Sequence, residues 1–495
     1  MAPAPRRAPS ATCAACSKLS TIRRLDPTVR IRFSIKEISF FEREVRLRLP
    51  FRFGVVTLTS APQAFVRARI ALEDGKEDEG AAAEMLVPKW FDKDPALSNE
   101  RNIDQLRASL ALARDAYLAA GDNTAFGHWI DNYGPQIALG ATQGMNSLTA
   151  CFGPALIDRA LLDALCRALG VSFYEAIRSN LPGISAPGWQ ADLAAFDMDE
   201  FLSQLSPATQ IAARHTVGLL DPVTPADKKA NDGLPETLGE VVARYGHRWF
   251  KLKVGGDAKA DVERLVAIAA VLDRNEEPYQ ATLDGNEQYA SAAGALELWR
   301  RIRAEPRLKR LASSIAFIEQ PVNRQHALSG DVSALAEEKP VIIDESDDSL
   351  EAFPRARRLG YTGVSSKTCK GLYKSLLNAA RCRLWNREEG AARYFMSGED
   401  LTLQAGLALQ QDLALVSLLG LAHAERNGHH YVNGMAGLPL AEQAAFLEAH
   451  PDLYERSHGA VRLKISDGDL QIGSLDCPGF ASAAMPDWEA MRRMQ

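Results

Sequence analysis

From residue 249 to residue 401 the chain repeats one unit. A short apolar run with β-branched or aromatic residues ends in a polar cluster, and a stretch of helical character leads to the next run. The runs are WFKLKV at 249–254, QATLDGNEQ at 280–288, IAFIEQPV at 315–322, PVIIDES at 340–346, YTGVSSKTCKG at 361–371 and RYFMSGEDL at 393–401. Between them lie segments such as DAKADVERLVAIAAVLD at 257–273 and DSLEAFPRARRLG at 348–360. Strands alternating with helices at intervals of roughly 25–35 residues imply right-handed βαβ units and a parallel sheet. Eight such units close into a barrel of about 250 residues, with its reactive groups at the C-terminal strand ends.

Those strand ends are ionisable. Lys251 and Lys253 lie two apart on one strand and so face the same side, as does Trp249. Lysine is rarely buried without a reason, and two side by side are expected to push each other's pKa down toward a value suited to a base. The next strands end in Asp284, Glu319, and Asp344 followed by Glu345. A single acid at such a place is ordinarily a cap of the following helix. Three at matched positions, facing one cavity, repel unless a cation lies among them. All-oxygen donors favour Mg²⁺ first and Mn²⁺ second. The following strand end returns to lysine at Lys367, across the barrel from Lys253. Such a set suits removal of the proton next to a substrate carboxylate, with the ion stabilising the enediolate.

The motifs K-L-K at 251–253, L-D-G-N at 283–286, I-E-Q-P at 318–321, D-E-S at 344–346 and S-S-K at 365–367 agree in order and spacing with one family. The chain resembles the enolase superfamily, and within it the muconate lactonizing enzyme (muconate cycloisomerase) subgroup, where lysine bases work with Mg²⁺. The resemblance implies a modified TIM (β/α) barrel with an α+β capping domain built from the N-terminal region and the C-terminal segment. It implies Asp284, Glu319 and Asp344 as metal ligands and Lys253 and Lys367 as the acid/base pair. Lys251 would contact the substrate carboxylate and tune Lys253. PFRFG at 50–54 is similar to the specificity loop of the family's cap, 66–84 to its antiparallel sheet with a turn at Asp74-Gly75, 155–177 to the helix leading into the barrel, and 467–480 to the segment returning to the cap. The expected domains are a tail at 1–30, a cap at 31–190, a barrel at 191–440 and a return segment at 441–495.

The departures narrow the subgroup. The seventh strand carries no histidine and Lys367 is not replaced by aspartate, which argues against the mandelate racemase pattern. The region 422–434 lacks the Asp-X-Asp of dipeptide epimerases. Residues 186–238 read as an extended loop near the barrel mouth, a substrate lid or a surface insertion. Around the core set, Asn286 shares a face with Asp284 and is a candidate for orienting metal-bound water or substrate, with a turn cap as the alternative. Glu345 is expected to bond Lys367. Ser397, Glu399 and Asp400 are expected to line the pocket, Lys370 to be a helix-start charge, and His429 and His430 to lie on the surface. Gly255-Gly256 reads as a tight turn rather than a phosphate cradle.

Composition sets the outer bounds. A chain of 495 residues can hold two domains and a large core. Its net charge of −6, with basic residues scattered, points away from nucleic acid and membrane partners. No apolar run reaches about 18 residues; LALVSLLGLA at 413–422 reads as a buried barrel helix. Seven cysteines at irregular spacing suit a reducing compartment, so a cytoplasmic location is expected, and Cys13-x-x-Cys16 lacks the partners of a zinc site. Residues 1–30 are basic, with Asp26 the first acid, as in a disordered tail or a transit peptide. The expected partner is a small carboxylic acid, with symmetric self-assembly common in the family. Cycloisomerisation, racemisation or epimerisation, and syn-dehydration all remain open. So do a catalytically idle barrel that binds a ligand or acts as a scaffold, and a lyase or aldolase whose lysine forms a Schiff base.

Overall fold

The computed structural model describes residues 30–53, 56–186, 188, 190–225, 230 and 232–494. The expectations for the N-terminal tail and for Cys13 and Cys16 lie outside the described residues. Strands β1 (Arg32–Phe53), β2 (Val56–Leu72) and β3 (Glu77–Met85) form an antiparallel meander. The 73–76 turn has Gly75 at φ 84°, a conformation that costs glycine little. The chain's end adds a short strand, Arg492–Arg493, to the free side of β1.

The helix Phe152–Leu169 lies against β2 and β3. Sixteen of its residues are buried, including Arg159 and Asp163, so it is covered on all sides rather than along one stripe. Arg159 pairs with Glu84 at 3.0 Å, and Asp163 accepts from the amides of Ala81 and Phe480. Close approach to the sheet requires Gly80: a Cβ there would stand 2.2 Å from the Ala160 carbonyl oxygen.

The barrel is closed. Its eight parallel strands run, in order, Gln210–Val217, Trp249–Lys253, Gln280–Asp284, Ile315–Glu319, Val341–Ile343, Gly363–Ser366, Phe395–Gly398 and His423–Glu425, and the eighth pairs back to the first. The modified TIM barrel with a cap is therefore observed. Residues 186–238 are not one extended loop, because the first barrel strand runs through them. The segment also holds the helix Met198–Ser203. The helix Leu407–Leu418 is buried along its whole length, as expected for 413–422. Part of the C-terminal segment, Asp469–Gln471, pairs with the first barrel strand rather than with the cap, while Phe480 stacks on Phe173 at 3.9 Å. Among the described residues no helix is long and apolar enough to cross a membrane.

Alternation along the strands sends one set of side chains inward. At the bottom of the barrel this set is aromatic, with Trp249 stacked on His423 at 3.7 Å and Phe317 against Phe395 at 5.4 Å. Above it the interior is ionic.

Candidate active site

Register aligns the ionic residues. Lys253 lies opposite Asp284, and Asp284 opposite Glu319, on three adjacent strands. Asp344 follows the fifth strand and Lys367 the sixth, so Lys253 and Lys367 stand on opposite walls of an eight-strand ring. All six sequence-identified residues, Lys251, Lys253, Asp284, Glu319, Asp344 and Lys367, come together and are almost wholly buried.

Lys251 sits deepest. It donates to Glu319 Oε1 at 2.9 Å, Glu399 Oε2 at 2.8 Å and Glu425 Oε2 at 3.0 Å, and its Nζ is also 2.9 Å from Asp284 Oδ2. An ammonium has three protons to donate, and these three bonds use them all. Burial works against its charge, but Asp284, Glu319, Glu399 and Glu425 outweigh it and raise the pKa well above the ordinary lysine value. The expectation that Lys251 and Lys253 lower each other's pKa is thus corrected for Lys251: four carboxylates outweigh one like charge. The expected contact of Lys251 with a substrate carboxylate also finds no free donor.

Lys253 Nζ donates to Asp284 Oδ2 at 2.5 Å and Asn286 Oδ1 at 2.6 Å. Lys367 Nζ donates to Asp344 Oδ2 at 2.6 Å and lies 4.4 Å from the centre of the Trp90 ring, a cation–π distance. Burial opposes the charge of Lys367, yet Asp344 raises its pKa, and the same ion pair drives the Asp344 carboxyl far below its usual range. Glu345 does not bond Lys367. Its Oε1 accepts from Asn286 Nδ2 at 3.2 Å and lies 3.7 Å from Lys93, because it follows Asp344 and points toward the opposite neighbour. Asn286, Glu287 and Gln320, just beyond the carboxylates, have positive φ values of 39°, 68° and 33°. Such left-handed backbone in non-glycine residues concentrates at functional sites.

Several groups escaped the sequence motifs. Glu399 was expected at the pocket wall; it pairs with both Lys251 and Arg214, and despite burial these cations hold its pKa at about 2. Ser397 orients it through a 2.6 Å bond to Oε1. Glu425, on the eighth strand, was not foreseen, nor was Arg214 on the first. Lys370 does stand at a helix start, in the turn 368–370 before the helix Leu372–Glu389, but it is buried: it donates to Ser365 Oγ at 2.6 Å and pairs with Asp347 at 3.1 Å. Asp400 accepts from the amides of Leu403 and Asn427 and lines the mouth. Lys93 from the cap and Arg324 from the turn of helix after the fourth barrel strand both reach Glu287. His429 and His430, expected on the surface, are buried because the eighth-strand loop folds back against the barrel wall. The Gly255 and Gly256 amides are taken by the Asp261 carboxylate, which confirms a turn and leaves no phosphate cradle.

The cap closes the mouth. Phe51, Phe53, Val87 and Trp90 cover Lys253, Asn286, Lys367 and Asp400 around a cavity of about 20 Å³. That is room for about one water, so a substrate must displace part of this cover. The donor set could hold a hard divalent cation. Asp284, Glu319 and Asp344 offer only oxygen. Burial, together with the charges of Asp284, Glu399 and Asp344, holds the Glu319 carboxyl well above its usual range, a crowding that a bound cation relieves.

Residues 234–432 match the sequence model of the family described as enolase C-terminal domain-like. Among solved structures, muconate lactonizing enzyme from Mycobacterium smegmatis, complexed with muconolactone, is 19% identical, with 93% of this chain and 100% of that one covered at a TM-score of 0.57. The 2-chloromuconate cycloisomerase of Rhodococcus opacus is 18% identical, over 92% and 98%, at 0.55. A dipeptide epimerase from Cytophaga hutchinsonii, complexed with Mg and D-Ala-L-Val, is 15% identical, over 93% and 99%, at 0.56. No curated protein matches the chain. The resemblance to the enolase superfamily is borne out by the family match and by the shared fold.

Proposed function

We propose that this chain is an Mg²⁺-dependent enzyme that removes the proton α to a substrate carboxylate, with Lys253 as base. The observation that carries the proposal is the placement of two lysine amines on opposite walls, with Asp284, Glu319 and Asp344 between them. Asp284, Glu319 and Asp344 would hold the ion, with Mn²⁺ a substitute. The ion would supply positive charge where negative charge develops on the substrate carboxylate.

The rest is the work of the chain's own residues. Lys253 takes the proton at Nζ, oriented by Asn286 Oδ1. Lys367, held by Asp344 and the Trp90 face, delivers a proton to the opposite side or stabilises charge there. Lys251 is a positioning residue: it gathers Glu319, Glu399 and Glu425 and holds the Glu399 and Glu425 carboxyls below their usual range. Phe51, Phe53 and Trp90 exclude water, which strengthens each of these interactions. A lysine on each wall is compatible with cycloisomerisation, epimerisation or syn-dehydration. The substrate is a small carboxylic acid, the compartment cytoplasmic, and a symmetric oligomer accords with the family.

The test is a screen of carboxylic acids for α-proton exchange in deuterated water, repeated with Lys253→Ala. Exchange that disappears in the variant supports the proposal, and exchange retained without Lys253 overturns it. A second reading, a barrel that binds without turnover, draws on one observation: the candidate ligand carboxylates are already ion-paired to lysines in a nearly filled cavity. Absence of thermal stabilisation by millimolar Mg²⁺ or Mn²⁺ would favour it.

A further inference from the structure

A second cluster of ligating side chains lies outside the barrel interior. On the first strand Arg214 and Thr216 point inward, to Glu399 and Glu425, so His215 between them points outward. There it meets His247, which precedes the second strand, and His429, in the turn of helix that follows the eighth. Ring centres are 5.3 Å apart for His215 and His247, 6.0 Å for His215 and His429, and 5.6 Å for His247 and His429. One nitrogen from each ring lies within 4.8 Å of the others.

We infer that His215, His247 and His429 form a site for a borderline transition-metal dication, Zn²⁺ foremost, at the seam where the eighth strand closes on the first. Three features carry this. The rings are buried, with exposures of 2%, 1% and 8%, yet His215 Nδ1, His247 Nε2 and His429 Nε2 have no hydrogen-bond partner. Unpartnered buried polar atoms cost about 1–3 kcal/mol each, and one ion satisfies all three. His247 Nδ1 lies 2.8 Å from the Ala213 carbonyl oxygen. Donation there leaves the Nε2 lone pair free, the arrangement that orients metal-bound histidines elsewhere. Finally, an all-imidazole set selects zinc, copper or nickel rather than Mg²⁺.

The geometry is within reach. Tetrahedral ligands on Zn–N bonds of about 2.0–2.1 Å stand about 3.3 Å apart, so the rings close by about 1.5 Å at most. A cavity of about 10 Å³ beside His429, also lined by Arg462, has room for about one small fourth ligand. Arg462 favours an anion there, hydroxide or chloride, which offsets the ion's charge. Burial, and in His215 and His429 the neighbouring imidazoles, hold these histidines below their ordinary pKa, with His247 at about 4, so the rings are neutral and their lone pairs available. The site would tie together the first strand, the approach to the second and the exit of the eighth. It is independent of the proton-transfer proposal.

The full chain is stripped with chelator, dialysed against Zn²⁺ in the presence of Mg²⁺, and assayed for bound metal. The expected result is about one zinc per chain in the wild type and in Asp284→Asn, with binding at least tenfold weaker in His215→Gln and His247→Gln. Zinc that is lost in Asp284→Asn but kept in the histidine variants would assign it to the strand-end carboxylates and overturn the inference. X-ray absorption at the zinc edge of the wild type does not depend on whether the variants fold. Imidazole scattering from three ligands supports the site; an oxygen-only shell, or no retained zinc, overturns it.

Discussion

Replacing Lys251 with Met removes the one cation that Asp284, Glu319, Glu399 and Glu425 share. Met fills a similar volume, so packing changes little and the effect reports the charge. Lys251 is 1% exposed, so water cannot take over its role. Removing one partner of a buried ion pair costs about 3–5 kcal/mol, since the remaining charge is left uncompensated. Arg214 still pairs with Glu399 and Lys253 with Asp284, and the Glu319 carboxyl already sits well above its usual range, so the Glu425 carboxylate bears most of the loss. A destabilisation of about 3–5 kcal/mol changes the unfolding equilibrium by roughly two to three and a half orders of magnitude. Urea unfolding at neutral pH measures it. The same substitution frees carboxylate oxygens for a divalent ion. A ligand at 100 times its Kd stabilises by about 2.7 kcal/mol, so millimolar Mg²⁺ is expected to restore more stability to Lys251→Met than it adds to the wild type. A variant within about 1 kcal/mol of the wild type, with no larger response to Mg²⁺, would refute the view of Lys251 as the shared counter-charge.

Two further outcomes follow from the cap and the return segment. His450 is fully buried; its Nδ1 lies 3.0 Å from Ser474 Oγ and its Nε2 accepts from the Ala483 amide, and burial holds its pKa at about 4 against an ordinary 6.5. Because the unfolded chain binds the proton first, this stability is complete above pH 6.5 and is lost as pH falls through 4, about 3 kcal/mol in all. Urea titrations at pH 7 and pH 4 should show a smaller acid loss in His450→Gln, and equal losses would contradict the assignment. Gly80→Ala places a methyl against the Ala160 carbonyl and the Ala164 amide, both backbone and unable to rotate away. It should destabilise by about 1–3 kcal/mol or more, read by thermal unfolding; an unchanged midpoint would mean that the helix Phe152–Leu169 shifts freely.

The barrel was largely legible because the βα period is local. Strands two to seven fall within the runs read between 249 and 401. The first strand, QIAARHTV, escaped because it carries Arg214 and His215 where a strand core is usually apolar. Both exceptions have structural causes: Arg214 anchors Glu399 inside the barrel, and His215 belongs to the histidine cluster outside it. His429 and His430 misled for a related reason, since two polar residues in a loop carry no local sign of burial.

The sequence by itself determined which residues gather at the strand ends, because a period-two strand followed by a helix places every second side chain of its last turn in the mouth. It could also assign oxygen chemistry to that mouth from residue type alone. Only the tertiary structure decided how the charges pair. Lys251 meets Glu425 across 174 positions of chain and Glu399 across 148. Coulomb energy depends on separation in space and on the dielectric between the charges. Neither can be read from spacing along the chain, and so the direction of the Lys251 pKa shift emerged only when the barrel closed.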